Sequence, residues 1–252
     1  MFDALPIDGG PASLAIFAIV MVAAGFVRGY SGFGSAAVIV TALSPFYPPI
    51  LIVPLAVLVE VFASLLMVRS VRGQIDWSLL KFIVIGALVG SPIGLMTHFY
   101  LSEDAVRLTI QGFVLIIAIA LLAGWSLKSE PGKGGLFGVG ILSGIANTAA
   151  SLGGLPVALF LVASAKKPQL LRATMVVFFF FVNAITITLM VSTGVMGFES
   201  VKLLAVGALP FALGIYAGSK FFSGAKEATF RKIVIALLIA LALIGITRTV
   251  MG

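Results

Sequence analysis

The chain has no cysteine and a single histidine, His98. Disulfide staples and thiolate metal sites are excluded, and no histidine cluster exists to hold a transition metal. Charge is scarce as well. Asp, Glu, Lys and Arg make up 10% of the 252 residues, where a soluble domain carries about 25%. So little polar surface does not cover a water-soluble globule. With 61% hydrophobic residues and a mean hydropathy of +1.22, the excess apolar area is expected to face lipid. The net charge of +7 comes without a basic stripe interleaved with aromatics, so nucleic acid is not an expected partner. No Walker lysine follows the glycines of 25–34, and no cluster of His, Cys or carboxylate residues appears. No catalytic residue, no metal and no cofactor are expected. The first ten residues carry Asp3 and Asp8 but no Lys or Arg, so targeting is expected to rest on the first hydrophobic segment.

What the chain does have is long apolar runs. A membrane span needs roughly 20 such residues. Six segments fit that length: 48–68, 78–98, 105–126, 171–193, 201–221 and 230–248. Two longer segments, 11–45 and 134–165, are weak at their centres. The first is interrupted by Arg28-Gly29-Tyr30-Ser31-Gly32-Phe33-Gly34-Ser35. The second is interrupted by Asn147-Thr148-Ala149-Ala150-Ser151-Leu152-Gly153-Gly154, with Pro156 following. Glycine and proline break helices, and Ser, Thr and Asn compete for their backbone hydrogen bonds. The order of one broken segment and three spans occurs twice, and Gly86-Ala87-Leu88 is echoed by Gly207-Ala208-Leu209. An internal duplication follows, with repeat 1 over about 11–128 and repeat 2 over about 132–250 of one membrane transport domain, 1–252.

Loop charge separates kinked spans from hairpins, because Lys and Arg collect on the cytoplasmic side. Arg28 apart, the basic residues divide eight to seven if all eight segments cross. If the two broken segments are re-entrant hairpins they divide twelve to three, and only Arg107, Lys202 and Arg248 fall on the sparse side. Asp3, Asp8, Glu103 and Asp104 join that outer side. The expected fold is therefore an all-α polytopic membrane protein of two inverted repeats. Each repeat has one broken, re-entrant helix hairpin and three transmembrane helices, and both termini lie outside.

Irregular backbone survives at membrane depth only where protein or a wet cavity satisfies it. Two breaks, one per repeat, point to a site between them, and helix N-termini there favour an anion. The expected contacts are Arg28, Ser31, Gly32, Gly34 and Ser35 from the first break and Asn147, Thr148, Ser151, Gly153 and Gly154 from the second. The bland alternative is that the small residues serve tight helix packing. For Arg28 three readings stand: anion contact, a structural pair with Glu60, or an interfacial position. Glu60, inside an apolar span, suits either proton coupling or structural pairing, and Asn183 is a polar counterpart in the second repeat. His98 reads as interfacial, and Phe178 to Phe181 as lipid-facing bulk or a dry gate.

The run Gly25-Phe26-Val27-Arg28-Gly29-Tyr30-Ser31-Gly32-Phe33-Gly34-Ser35 resembles the opening motif of the sulfite exporter TauE/SafE family. Gly140-Ile141-Leu142-Ser143-Gly144, continuing to Gly153-Gly154-Leu155-Pro156, is similar to that family's repeat of it. The resemblance implies a bacterial inner-membrane protein and a sulfur oxyanion or sulfonate, such as sulfite or sulfoacetate, as substrate. Relatives continue the first motif with further glycines and a proline where this chain has Ala36-Ala37-Val38-Ile39, so the particular anion stays open. The expected function is a secondary transporter, an exporter working by alternating access. The alternatives are an anion channel or a carrier of another small organic or inorganic anion. Expected partners are a small anionic substrate and the lipid bilayer. A coupling proton or cation and a homodimer remain options. Because the chain has no native cysteine, Ser44→Cys and Lys166→Cys are clean topology probes. Impermeant maleimide is expected to label them from opposite faces; labelling from one face restores eight crossings.

Overall fold

The computed structural model describes residues 10–43, 46–47, 49–100, 108, 112, 115–116, 118–125, 127, 132–150, 152–164, 167–194, 196–223 and 226–251. Among them every regular element is a helix: α1 (Gly10–Ser31), α2 (Ser35–Leu43), α3 (Pro49–Val71), α4 (Trp77–Tyr100), α5 (Lys133–Ala150), α6 (Gly154–Ala163), α7 (Pro168–Ser192), α8 (Phe198–Ser223) and α9 (Glu227–Met251), with a 3-10 turn at Arg72–Gln74. Six of these, α1, α3, α4, α7, α8 and α9, are long and apolar enough to cross a membrane. The expected spans at 48–68, 78–98, 171–193, 201–221 and 230–248 correspond to α3, α4, α7, α8 and α9. The span expected at 105–126 is described only in part, as helix at 108, 112, 115–116 and 118–122. Large apolar side chains such as Ile19, Leu209, Tyr216 and Phe221 stand exposed on the outside of the bundle, where lipid replaces water as the solvent.

Both interrupted segments break where the sequence weakens, and both turn back. After α1 the chain passes through Gly32 and Gly34 at φ +84° and +90°, a conformation that glycine adopts without the clash of a Cβ. The returning limb brings Tyr47 to the start of α1, where its hydroxyl meets the Ser13 hydroxyl at 2.6 Å. In the second segment the Leu127 N–H donates to the Ala163 carbonyl at 2.9 Å, joining the end of α6 to residues just ahead of α5. The limbs are unequal. The 22 residues of α1 extend about 33 Å, enough to cross the apolar layer alone, while the nine residues of α2 return about 14 Å. All ten residues of α6 are buried, as befits a segment apolar on every side.

The element boundaries recur. The ends of α1 and α5, the starts of α2 and α6, and the starts of α3 and α7 all lie 119 positions apart (31 and 150, 35 and 154, 49 and 168). Packing is exchanged between the halves in the same sense: α1 lies along α8, α5 along α4, and α3 against α7. Glycines set the first two contacts. Gly25 abuts the Phe211 carbonyl, Gly29 that of Ile215, Gly214 that of Val22 and Gly218 that of Phe26. On the other side Gly90 abuts the Ile141 carbonyl and Gly94 that of Ile145. Positions climb together in each pair, so α1 runs parallel to α8, and α4 to α5. Without a hydrophobic drive between helices in lipid, such close backbone contact is a main source of association.

These contacts correct the register of the sequence echo. Val22 and Ile141, and Phe26 and Ile145, are again 119 apart, which makes Gly90 and Gly94 the counterparts of Gly214 and Gly218, 124 positions apart. Gly86-Ala87-Leu88 and Gly207-Ala208-Leu209 are 121 apart and miss that register by three residues. A Cβ at Gly90 or Gly214 overlaps a carbonyl oxygen, whereas one at Gly138 meets nothing within 4 Å. Gly90→Leu and Gly214→Leu are therefore expected to destabilise by about 3 kcal/mol or more. Gly138→Ala is expected to be neutral or to stabilise by up to about 1 kcal/mol. Unfolding temperatures in detergent provide the comparison.

Candidate functional site

A break in a buried helix leaves carbonyls at the first helix's C-terminus and amides at the next helix's N-terminus. In the first half, charged side chains satisfy both. Arg28, fully buried on the last turn of α1, donates from Nη1 to the Gly32 carbonyl at 2.7 Å and from Nη2 to Ser64 Oγ at 3.0 Å. The same Nη1 pairs with Glu60 Oε2 at 2.7 Å. Glu60 Oε1 in turn accepts from the Ser35 hydroxyl at 2.5 Å and from the Ala36 N–H at 3.1 Å, at the N-terminus of α2. Ser31 closes the turn locally, donating to the Val27 and Phe33 carbonyls. Of the three readings of Arg28, the pair with Glu60 is present.

The second break is held by neutral groups. Ser143 Oγ donates to the Gly153 carbonyl. Asn147 Nδ2 donates to Thr186 Oγ1 at 3.0 Å and, at a long 3.4 Å, to Asn183 Oδ1. Thr148 Oγ1 bonds back to the Gly144 carbonyl at 3.2 Å, within its own helix. Gly153 lies against the Asn147 side chain and Gly154 against the ring of Phe179. Ser151 lies outside the described residues. Asn183 is 2% exposed, and its Nδ2 has no acceptor among the described residues.

Two aromatic and basic residues tie the breaks together. The Arg28 Cζ sits 4.5 Å above the Phe179 ring centroid, so Phe179 touches Arg28 of one break and Gly154 of the other. Phe178 and Phe179 are interior and only Phe181 of the run is exposed, which corrects the lipid-facing reading for the first two. Arg172 is a further correction. Counted above as a loop cation, it is 5% exposed, donates from Nε to the Gly29 carbonyl at 2.9 Å and from Nη2 to Ser219 Oγ at 2.6 Å, and stacks on Phe222 at 4.7 Å. Removing it leaves the charge bias at eleven to three. Arg172 was not singled out from the sequence, and Phe179 only as one of the run 178–181. The 119-residue spacing is the signal that finds Phe179, because it matches Glu60 at the twelfth position of a helix that begins with proline. The side chain of His98 is outside the described residues. Among the described residues no group of three His or carboxylate side chains gathers to hold a metal ion.

The family model described as Sulfite exporter TauE/SafE matches residues 17–244, which take in both breaks. No curated protein and no solved structure matches the chain.

Breaking a buried pair by removing one partner costs about 3–5 kcal/mol, far more than replacing both. Glu60→Gln alone strands the Arg28 charge and is expected to lower the unfolding temperature sharply. Arg28→Met combined with Glu60→Gln is expected to recover most of the loss, since the amide oxygen still accepts from Ser35 and Ala36. Additive losses in a double-mutant cycle contradict the coupling.

Proposed function

Since the chain belongs to the TauE/SafE sulfite exporter family, a family of membrane transporters for sulfite-type anions, we propose that it is a secondary transporter exporting sulfite or an organosulfonate. The single observation that carries this reading is the meeting of two interrupted helices at one place: Arg28 and Gly154, from different halves, lie on the same Phe179 ring. Helix ends in a membrane that are satisfied only by the protein are where transporters hold ions and substrates. The substrate takes its donors from both breaks, with the Ser31–Ser35 and Asn147–Gly154 stretches as its walls. Small neighbouring residues let the main chain approach it closely.

Alternating access follows from inverted repeats, and the packing supports them. The returning first segment leaves the chain at the end where it entered, so α3 runs as α1 does and α4 runs the opposite way. Because α5 lies parallel to α4, it runs opposite to its counterpart α1. Rocking one half against the other then exposes the central contact to each face in turn. The location is a bacterial inner membrane, with both termini outside, and a coupling proton or cation remains an option.

In proteoliposomes, labelled sulfite or sulfoacetate is expected to show saturable uptake and counterflow, stimulated by unlabelled anion inside. Arg28→Ala is expected to reduce transport by at least about tenfold, since the residue organises the first break. Non-saturating flux with single-channel currents replaces the carrier with a channel.

A further inference from the structure

Five buried side-chain donors lack a partner among the described residues: the hydroxyls of Tyr30, Ser164 and Thr174, and two nitrogens, Arg28 Nε and Asn183 Nδ2. The two nitrogens flank one ring. The Arg28 guanidinium lies over Phe179 at 4.5 Å. Asn183 follows Phe179 by one helical turn on α7 and is joined to Asn147, whose side chain lies against Gly153. The Phe179 ring edge itself presses on Gly154, the first residue of α6, and the capping residue Gly153 offers no side-chain acceptor there. Buried donors without acceptors are rare in folded proteins, and each asks for an explanation.

The first half supplies one. At a spacing of 119 residues, Phe179 stands where Glu60 stands, Gly154 where Ser35 stands and Asn183 where Ser64 stands. In the first half that position holds an anion: the Glu60 carboxylate accepts from Ser35 and Ala36 at the start of α2, while Ser64 and Arg28 complete its surroundings. In the second half the same position holds an apolar ring, and two donors beside it, Arg28 Nε and Asn183 Nδ2, are unsatisfied. One of two corresponding anion positions is filled by the chain, and the other is only plugged.

We propose that the substrate anion binds where the Phe179 ring now lies, against the N-terminus of α6, with Asn183 Nδ2 and Arg28 Nε as side-chain donors, and that Phe179 is the plug it displaces. The inference rests on the transporter reading above and names its site. Pro156 has no N–H and the Leu155 N–H is taken by the Leu152 carbonyl, so the donors to the oxygens of an SO3 group are Asn183 Nδ2 and Arg28 Nε, with the α6 terminus adding partial positive charge. Charge sets the class further. Glu60 already balances Arg28, and Arg172 on the Gly29 carbonyl has no carboxylate partner among the described residues, so the surroundings carry about one positive charge plus that of a helix end. That favours a monoanion, hydrogen sulfite or a sulfonate, over a dianion such as sulfate.

The test is equilibrium binding of isethionate, sulfite and sulfate to the purified full chain, with unfolding temperature measured on the same samples. Phe179→Ala is expected to bind isethionate about tenfold more tightly than the parent, because the anion no longer has to displace the ring. Asn183→Asp replaces the Nδ2 donor by a carboxylate oxygen and is expected to weaken binding roughly a hundredfold. The parent is expected to prefer isethionate to sulfate by about tenfold. If Phe179→Ala does not fold, Phe179→Leu serves in its place, with a smaller gain of the same sign. Parent-like affinity in folded Phe179 and Asn183 variants overturns the site and leaves the transporter reading intact. A parent protein that binds none of the three anions and shows no sulfite counterflow overturns both.

Discussion

A positive charge sealed inside a membrane bundle has to be answered by the protein itself, and the Arg28–Glu60 contact is that answer. Its orientation matters as much as its existence. The cation sits at the C-terminal end of α1, where free carbonyls carry partial negative charge, and the anion sits at the N-terminal end of α2, where free amides carry partial positive charge. The pair is therefore aligned with both helix ends, and Arg172 adds a second cation on the Gly29 carbonyl. An interruption that is costly in lipid becomes a fixed feature of the fold. Around it α1, α2 and α3 share one apolar core that also takes in residues of α7 and α8.

The two halves solve the same backbone problem with different chemistry. Ionic groups hold the first break; Ser143, Asn147 and Thr186 hold the second with neutral hydrogen bonds. Two interruptions need not form two identical sites. In the proposed site the first break carries its own carboxylate, and the second is left to accept an outside anion. Neutral donors beside a helix end hold a small anion without the strong grip of an unpaired arginine, and a carrier has to release what it binds.

Close helix packing gives this asymmetric centre a rigid frame. The α1–α8 and α4–α5 contacts are made through glycines against carbonyl oxygens, so neither pair slides without steric conflict. Each joins the first element of one half to the third of the other, which couples the halves at their flanks while α3 and α7 meet between them. The substrate position proposed at Phe179 lies on that central contact, where relative movement of the halves is felt most directly.

Much of the architecture was legible in the residues alone. Low charge and long apolar runs dictate a membrane protein because no other solvent tolerates that surface. The glycines at 32 and 34 and the Asn147–Gly154 stretch dictate interruptions because a helix is weak there, and the loop cations required each interruption to turn back. The family was also readable from the first glycine motif. Partner choice was not. Whether Arg28 meets Glu60, a substrate or the interface depends on which face of α3 turns toward α1, and an apolar helix with almost no amphipathic bias does not record its own rotation. Arg172 was misread for a related reason: it follows Lys166, Lys167 and Pro168, which look like a loop, and only the arrival of the α1 terminus beside α7 makes it an interior residue. Local composition determined where this chain breaks and which solvent it faces. Tertiary packing alone decided which charges meet at the breaks, because those contacts join residues dozens to more than a hundred positions apart.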